Sequence, residues 1–234
     1  MSILENLLTD LKKLKNPPKA KILAGFFKTG KGEYGAGDVF WGITVPKQRE
    51  VVQRYFLEVS FFYLGYLLKQ KVHELRFSAL AILVLKYQKG DAKEKARVAK
   101  FYLKNLRGIN NWDLVDLSAP QILGDYFLEK DKAVLYELAK SKNLWERRIA
   151  IVATFGFIKK GEYADTLKIA EMLLNDPHDL IHKAVGWMIR EVGKRDKKVE
   201  RRFLNRFAKK MPRTALRYAI ERFSPQERAR YLRR

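Results

Sequence analysis

Apolar residues recur at three- and four-residue spacing along almost the whole chain, and alternating runs of the strand type are scarce. That period gathers apolar side chains on one stripe of a helix, so the chain is expected to be all-α. Helices are predicted at Ser2–Lys15, Lys47–Lys69, Val72–Gln88, Asp91–Leu106, Trp112–Phe127, Lys130–Lys140, Leu144–Lys159, Tyr163–Leu174, Leu180–Val192, Lys198–Lys210 and Pro212–Phe223. The breaks between them are short and carry Gly, Asn or Asp-Pro. Short helices with short connections stack as antiparallel pairs.

A repeat sharpens this picture. Five segments place a polar residue three positions before a small or apolar one: Arg76/Ala79, Asp116/Ala119, Arg147/Ala150, Lys183/Gly186 and Arg213/Leu216. Their starts are 40, 31, 36 and 30 residues apart, near the period of HEAT-type repeats, whose helix pairs bury one another's apolar faces. The expected architecture is a HEAT-like helical-repeat solenoid with a basic concave face, one domain over 1–234. An irregular helical bundle is the alternative that the same pattern allows.

Charge narrows the function. Lys and Arg number 48 against 26 Asp and Glu, a formal charge of +22, while 47% of the residues are hydrophobic and 12% aromatic. The positive surplus therefore belongs to folded sequence, and it points to a polyanion, with nucleic acid ahead of a membrane surface. The absence of cysteine excludes disulfides, thiolate zinc sites, Fe–S clusters and Cys nucleophiles. His178 and His182 stand four apart, but with no further His or Cys nearby they do not complete a zinc site, and neither metal nor other cofactor is expected. The first 18 residues lack a secretory apolar region, and no apolar run approaches the roughly 20 residues that span a bilayer. A cytoplasmic protein is expected, nucleoid-associated when bound to DNA.

Residues 25–46 interrupt the helical period with glycines at 25, 30, 32, 35, 37 and 42, and read as a long ordered loop. Gly25, Gly30 and Lys31 imitate the start of a nucleotide-binding phosphate loop. Gly32 then stands where a Ser or Thr should hold magnesium, and the residues before Gly25 read as helix instead of strand, which excludes nucleotide hydrolysis. Lys28, Lys31, Tyr34, Phe40 and Trp41 are candidates to touch a phosphate backbone or a base, although aromatics in such a loop more often pin it to the core.

Trp112 and Asp116 are four residues apart, which sets an indole and a carboxylate on one helical face. The next repeats supply Trp145 with Arg148, and Gly186 with Trp187. Spacing alone leaves these as core tryptophans and inter-repeat ion pairs. The stretches N-W-D-L-V-D at 111–116, I-L-G-D-Y-F-L at 122–128, L-W-E-R-R-I-A-I at 144–151 and I-H-K-A-V-G-W-M-I-R-E-V-G-K at 181–194 change that weighting. They resemble, colinearly from Pro17 to about Phe223, the AlkD family of HEAT-like DNA alkylation-repair glycosylases. The family's catalytic positions fall on Trp112, Asp116, Arg148 and Trp187, and all four are filled. The chain departs from the family in a longer, glycine-rich N-terminal half and in Thr44, where a larger polar residue stands.

The resemblance implies base excision repair by a monomer that needs no cofactor and acts on double-stranded DNA. The reaction would be hydrolysis of the N-glycosidic bond of cationic alkylated purines, typically N7-methylguanine and N3-methyladenine, without flipping the base into a deep pocket; bulkier adducts are then admissible. Such a purine leaves as a neutral base without a general acid, while the deoxyribose gains oxocarbenium character. On this reading Asp116 stabilises that charge and orients water, Trp112 and Trp187 contact the lesion sugar, and Arg148 holds a phosphate. Lys47, Arg49, Arg76, Lys104, Arg107, Arg147, Lys183, Arg190, Lys194 and Arg213 are candidates to hold the DNA backbone. Two other readings stay open: a non-catalytic DNA-binding repeat protein, and a scaffold for an acidic protein partner.

Overall fold

The computed structural model describes residues 2–233 and, among them, builds helices joined by turns and one longer loop. Contacts divide the chain into two compact units, Met1–Ser118 and Ala119–Arg234. The fold is an all-α helical-repeat fold, as the spacing predicts.

The first unit contains α1 (Ile3–Lys13), α2 (Pro17–Phe26), α3 (Val45–Tyr55), α4 (Phe61–Leu68), α5 (His73–Lys89), α6 (Ala92–Lys104) and nearly all of α7 (Trp112–Ala119). Its centre is α5, buried along most of its length and packed by α3, α4 and α6. Local chemistry sets the helix starts. Ser2 and Glu5 form a reciprocal capping box on α1, and the Asn16 side chain caps α2 ahead of Pro17 and Pro18, whose fixed φ suits a first turn.

The second unit begins in a π-helical turn, Pro120–Gly124, and continues through α8 (Ala133–Ala139), α9 (Leu144–Ala153), α10 (Phe155–Lys159), α11 (Ala164–Met172), α12 (Asp179–Gly193), α13 (Lys197–Phe207), α14 (Arg213–Ala219) and α15 (Pro225–Leu232). Here α12 is central, packed by α9, α11, α13 and α14. Gly186 allows a close approach: a Cβ there would stand 2.3 Å from the Ala215 carbonyl oxygen and 2.5 Å from the Tyr218 Cβ.

The structure corrects several expected boundaries. The helix predicted over 47–69 is two, because Ser60 leaves the helix and accepts the Tyr63 N–H to start α4. The helix predicted over 144–159 is interrupted at Thr154, whose hydroxyl donates to the Ile151 carbonyl. Pro120 lacks the N–H that an unbroken α-helix would donate four residues back, so 112–127 widens into the π turn. The loop between α2 and α3 is 27–44 instead of 25–46, and α2 and α15 lie outside the predicted set.

Candidate active site and nucleic-acid interface

Trp112 and Asp116 lie one turn apart on α7, both half-buried. The start of that helix is fixed from within the first unit. The Asn111 side chain accepts the Trp112 N–H at 2.8 Å, and one Asp113 oxygen accepts the Leu114 N–H at 2.8 Å. The other Asp113 oxygen lies 2.8 Å from His73 Nε2, while His73 Nδ1 lies 3.2 Å from Asp38 Oδ2. His73 thus bridges a carboxylate of the glycine-rich loop and one of α7. A neutral imidazole donates through one nitrogen only, whereas the cation donates to both acids. Burial opposes that charge, but the hydrogen bonds to Asp113 and Asp38 outweigh it and raise the His73 pKa above its ordinary 6.5. Burial also works against ionised Asp38, yet the His73 hydrogen bond and the Arg76 charge prevail and hold its carboxyl below the usual value.

An aromatic column runs along this network. The His73 ring stacks on Phe40 at 4.6 Å, Phe40 on Phe27 at 5.0 Å, and Phe27 on Trp112 at 5.2 Å with planes 15° apart. Exposed Phe26 meets the Trp112 edge at 5.9 Å. The loop is clamped a second time by buried Glu74, whose carboxylate accepts the N–H groups of Trp41, Gly42 and Ile43 at 3.0, 2.7 and 3.2 Å. Gly42 permits this, since its φ is +80° and a Cβ would stand 2.1 Å from the Asn16 carbonyl oxygen. Phe40 and Trp41 therefore pin the loop: Phe40 is buried, and Lys15 Nζ covers the Trp41 ring at 4.3 Å. Lys28 and Lys31 remain exposed, and Tyr34 is half-buried.

Arg148 and Trp187 belong to the second unit, on α9 and α12. Arg148 is 5% exposed and donates from Nη1 to the Leu180 carbonyl at 2.6 Å. The expectation of an open phosphate ligand is corrected here: its burial makes Arg148 an internal anchor between α9 and the start of α12. Trp187 is half-buried, 5.8 Å from the Phe155 ring, and its Nε1–H donates to Glu191 at 3.3 Å.

The basic residues divide into exposed and internal sets. Lys47, Arg49, Lys104, Arg107, Lys194 and Arg213 are exposed, although Lys194 pairs with Glu191 and Arg213 donates to the Leu232 carbonyl. Lys183 is half-buried beside Asp179. Arg76 is a correction: it is 3% exposed, donates to Asp38 at 2.6 Å and reaches the carbonyls of Gln70 and Lys71 beyond the end of α4. Arg147 does the same after α8, bonding Asp176 and the carbonyls of Ser141 and Lys142. Both fill the same repeat position, where an arginine satisfies carbonyls left open past a helix C-terminus. Arg190 is likewise turned to an ion pair with Glu221. The two histidines of 178–182 also serve the backbone: His178 Nδ1 accepts the Leu180 N–H and so caps α12, and His182 Nε2 meets the Asp176 carbonyl.

Comparison with known proteins bears on this arrangement. No curated protein matches the chain. A solved structure described as "Predicted DNA alkylation repair enzyme from Enterococcus faecalis" superposes with a TM-score of 0.68 over 90% of this chain and 97% of that one, at 17% identity, which shows a shared fold. The sequence model of the family described as DNA alkylation repair enzyme matches residues 7–223, spanning both units. The protein belongs to the DNA alkylation repair enzyme family.

Proposed function

We propose that the protein is a monofunctional alkylpurine DNA glycosylase of the AlkD type, hydrolysing the N-glycosidic bond of cationic alkylated purines in duplex DNA. The substrates are N7-methylguanine, N3-methyladenine and bulkier adducts. The observation that carries this reading is the half-buried Trp112–Asp116 pair, one turn apart on a helix whose start is held by Asn111 and the His73–Asp113 bond, in a chain of a family named for repair of alkylated DNA.

The chemistry suits those two groups. The bond from C1′ to the purine breaks and its electron pair leaves with the base, which becomes neutral; water adds at C1′ and loses a proton. No general acid is required, because alkylation has already activated the leaving group. The Asp116 carboxylate stabilises the oxocarbenium-like sugar and orients the water, an electrostatic role in which a pre-positioned charge costs no reorganisation. The Trp112 face attracts the same positive charge by a cation–π contact worth about 0.5–2 kcal/mol. By the resemblance, Trp187 has the equivalent sugar contact, the protein acts as a monomer, and the base is not flipped.

The burial of Arg148 favours one rival, a DNA-binding repeat protein without catalysis. Release of methylated purines from duplex DNA by the wild type and by Asp116→Asn separates the two. Binding survives the substitution on both readings, and only the enzyme has an activity to lose.

A further inference from the structure

Trp187 and Glu191 stand one turn apart on α12, and the indole Nε1–H donates to Glu191 Oε1 at 3.3 Å. Glu191 is 6% exposed, a depth at which a carboxylate needs partners. Two cations supply them: Lys194 Nζ donates to Oε1 at 2.5 Å and Arg195 Nη1 to Oε2 at 3.3 Å. Arg195 Nη1 also donates to the Glu191 carbonyl at 2.9 Å, so the acid is held through its side chain and its backbone. Burial opposes ionisation, but the bonds from Lys194, Arg195 and Trp187 prevail and hold the carboxyl below its usual value.

Two contacts set the half-buried Trp187 ring. Phe155 meets it at 5.8 Å with planes 45° apart, and Glu191 holds its N–H edge. Ring packing by itself leaves an indole room to swing about its broad χ2 torsion, whereas a hydrogen bond fixes one edge. Arg195 ties the two contacts together, since its guanidinium also lies 5.7 Å from the Phe155 ring. The bond to Glu191 occupies the one donor that an indole has. An indole with that donor unbound would turn its positive edge toward DNA phosphates and withdraw the negative face that attracts a cation.

We propose that Glu191 is a positioning residue for Trp187: its carboxylate ties the indole N–H back along α12, so that the ring offers its π face, and not a hydrogen-bond donor, to the positively charged sugar. The anchor stands on the geometry of α12; its part in base release rests on the function proposed above.

The test uses the full chain in two arms. In the first, the indole N–H signals of the four tryptophans are recorded by NMR without DNA, that of Trp187 being assigned by its loss in Trp187→Phe. Glu191→Ala, and Glu191→Met, which fills the space without an acceptor, should move the Trp187 signal upfield and speed its exchange with water. The other three signals should stay in place, which shows that the fold is kept. An unmoved Trp187 signal overturns the anchor.

In the second arm, release of N7-methylguanine from methylated duplex DNA is followed in single turnovers at saturating protein. Loss of the acceptor in Glu191→Ala or Glu191→Met should slow release about three- to tenfold, and Glu191→Gln, which keeps an oxygen for the indole, should recover most of it. In a Trp187→Phe background, Glu191→Ala should cost nothing further. Unchanged release, an equal loss in Glu191→Gln, or a full loss in the Trp187→Phe background overturns the positioning role. Wild-type release no faster than spontaneous depurination fails the glycosylase reading and takes that role with it, while the first arm still reads the anchor.

Discussion

His73 Nε2 lies 2.8 Å from Asp113 Oδ2, joining the first residue of α5 to the first turn of α7 across 40 positions of sequence. Because Nδ1 of the same ring faces Asp38, the imidazole is held between two acids, with the Arg76 guanidinium close by, and its charged form is favoured despite burial. The rigidity of the Trp112 end of α7 follows from that bridge and from the Phe27 and Phe40 rings stacked beside it.

Replacing His73 should therefore cost stability. His73→Ala leaves two acids facing a void and is expected to destabilise the fold by about 3–5 kcal/mol, read by urea unfolding. Since the folded-state pKa is raised, the stabilising contribution is fully present below about pH 6.5 and fades as pH rises through the higher folded value. Asp113→Asn should remove most of that dependence; an unchanged pH profile in Asp113→Asn would contradict the bridge.

Glu200 on α13 also loses stability as pH rises, but because its neutral form is the one the fold favours. It is 3% exposed, and burial pushes its pKa up to about 8 in spite of Lys197 and Arg201 nearby. The folded state therefore keeps a proton that the unfolded state gives up from about pH 4.5, and stability falls from there toward pH 8. Glu200→Gln should be more stable than the wild type at pH 8 by on the order of 2–4 kcal/mol, and nearly equal to it at pH 4. Melting curves at the two pH values check this.

Two glycine substitutions should differ in sign. Gly186→Ala drives a methyl into the Ala215 carbonyl and should lower stability by about 1–3 kcal/mol while shifting the fluorescence of Trp187. Gly25→Ala, in α2 with nothing within 4 Å of the added Cβ, should be neutral or stabilise by about 0.5–1 kcal/mol. Chemical unfolding of both variants checks the pair.

Binding to duplex DNA should weaken steeply with salt, by about 0.9 log units per log unit of salt for each phosphate contacted. Lys47→Ala/Arg49→Ala, at exposed positions of α3, should lower that slope while leaving stability within about 0.5 kcal/mol. Arg147→Ala should do the reverse, losing stability through Asp176 and two open carbonyls. Salt titrations paired with melting curves distinguish the two classes.

The helical period made α5 and α12 legible in the sequence within a residue or two, because both are long, apolar and central to their units. Breaks at Ser60 and Thr154 were not, since single hydroxyl residues that cap one helix are common inside others. Pro120 was visible in the sequence, but whether it ends a helix or widens it depends on packing. Spacing places Trp112 and Asp116 on one helical face, and the family resemblance singles them out as a site. The network behind it did not: Asp38, His73 and Asp113 are 35 and 40 residues apart, and no local pattern marks them as partners. The arginines show the converse error. Residue type alone presents Arg76 and Arg147 as surface charge and does not reveal that each bonds the carbonyls five and six positions before it.

The central claim is that Asp116 supports cleavage of the glycosidic bond, and release of N7-methylguanine and N3-methyladenine from methylated duplex DNA tests it most directly. Wild type and Asp116→Asn are compared at matched DNA occupancy, with uracil-containing duplex as a neutral-lesion control. The account predicts release of both bases by the wild type, a fall of at least about tenfold in Asp116→Asn, and no release of uracil. Wild-type release no faster than spontaneous depurination, with DNA still bound, would contradict it and leave a non-catalytic DNA-binding protein.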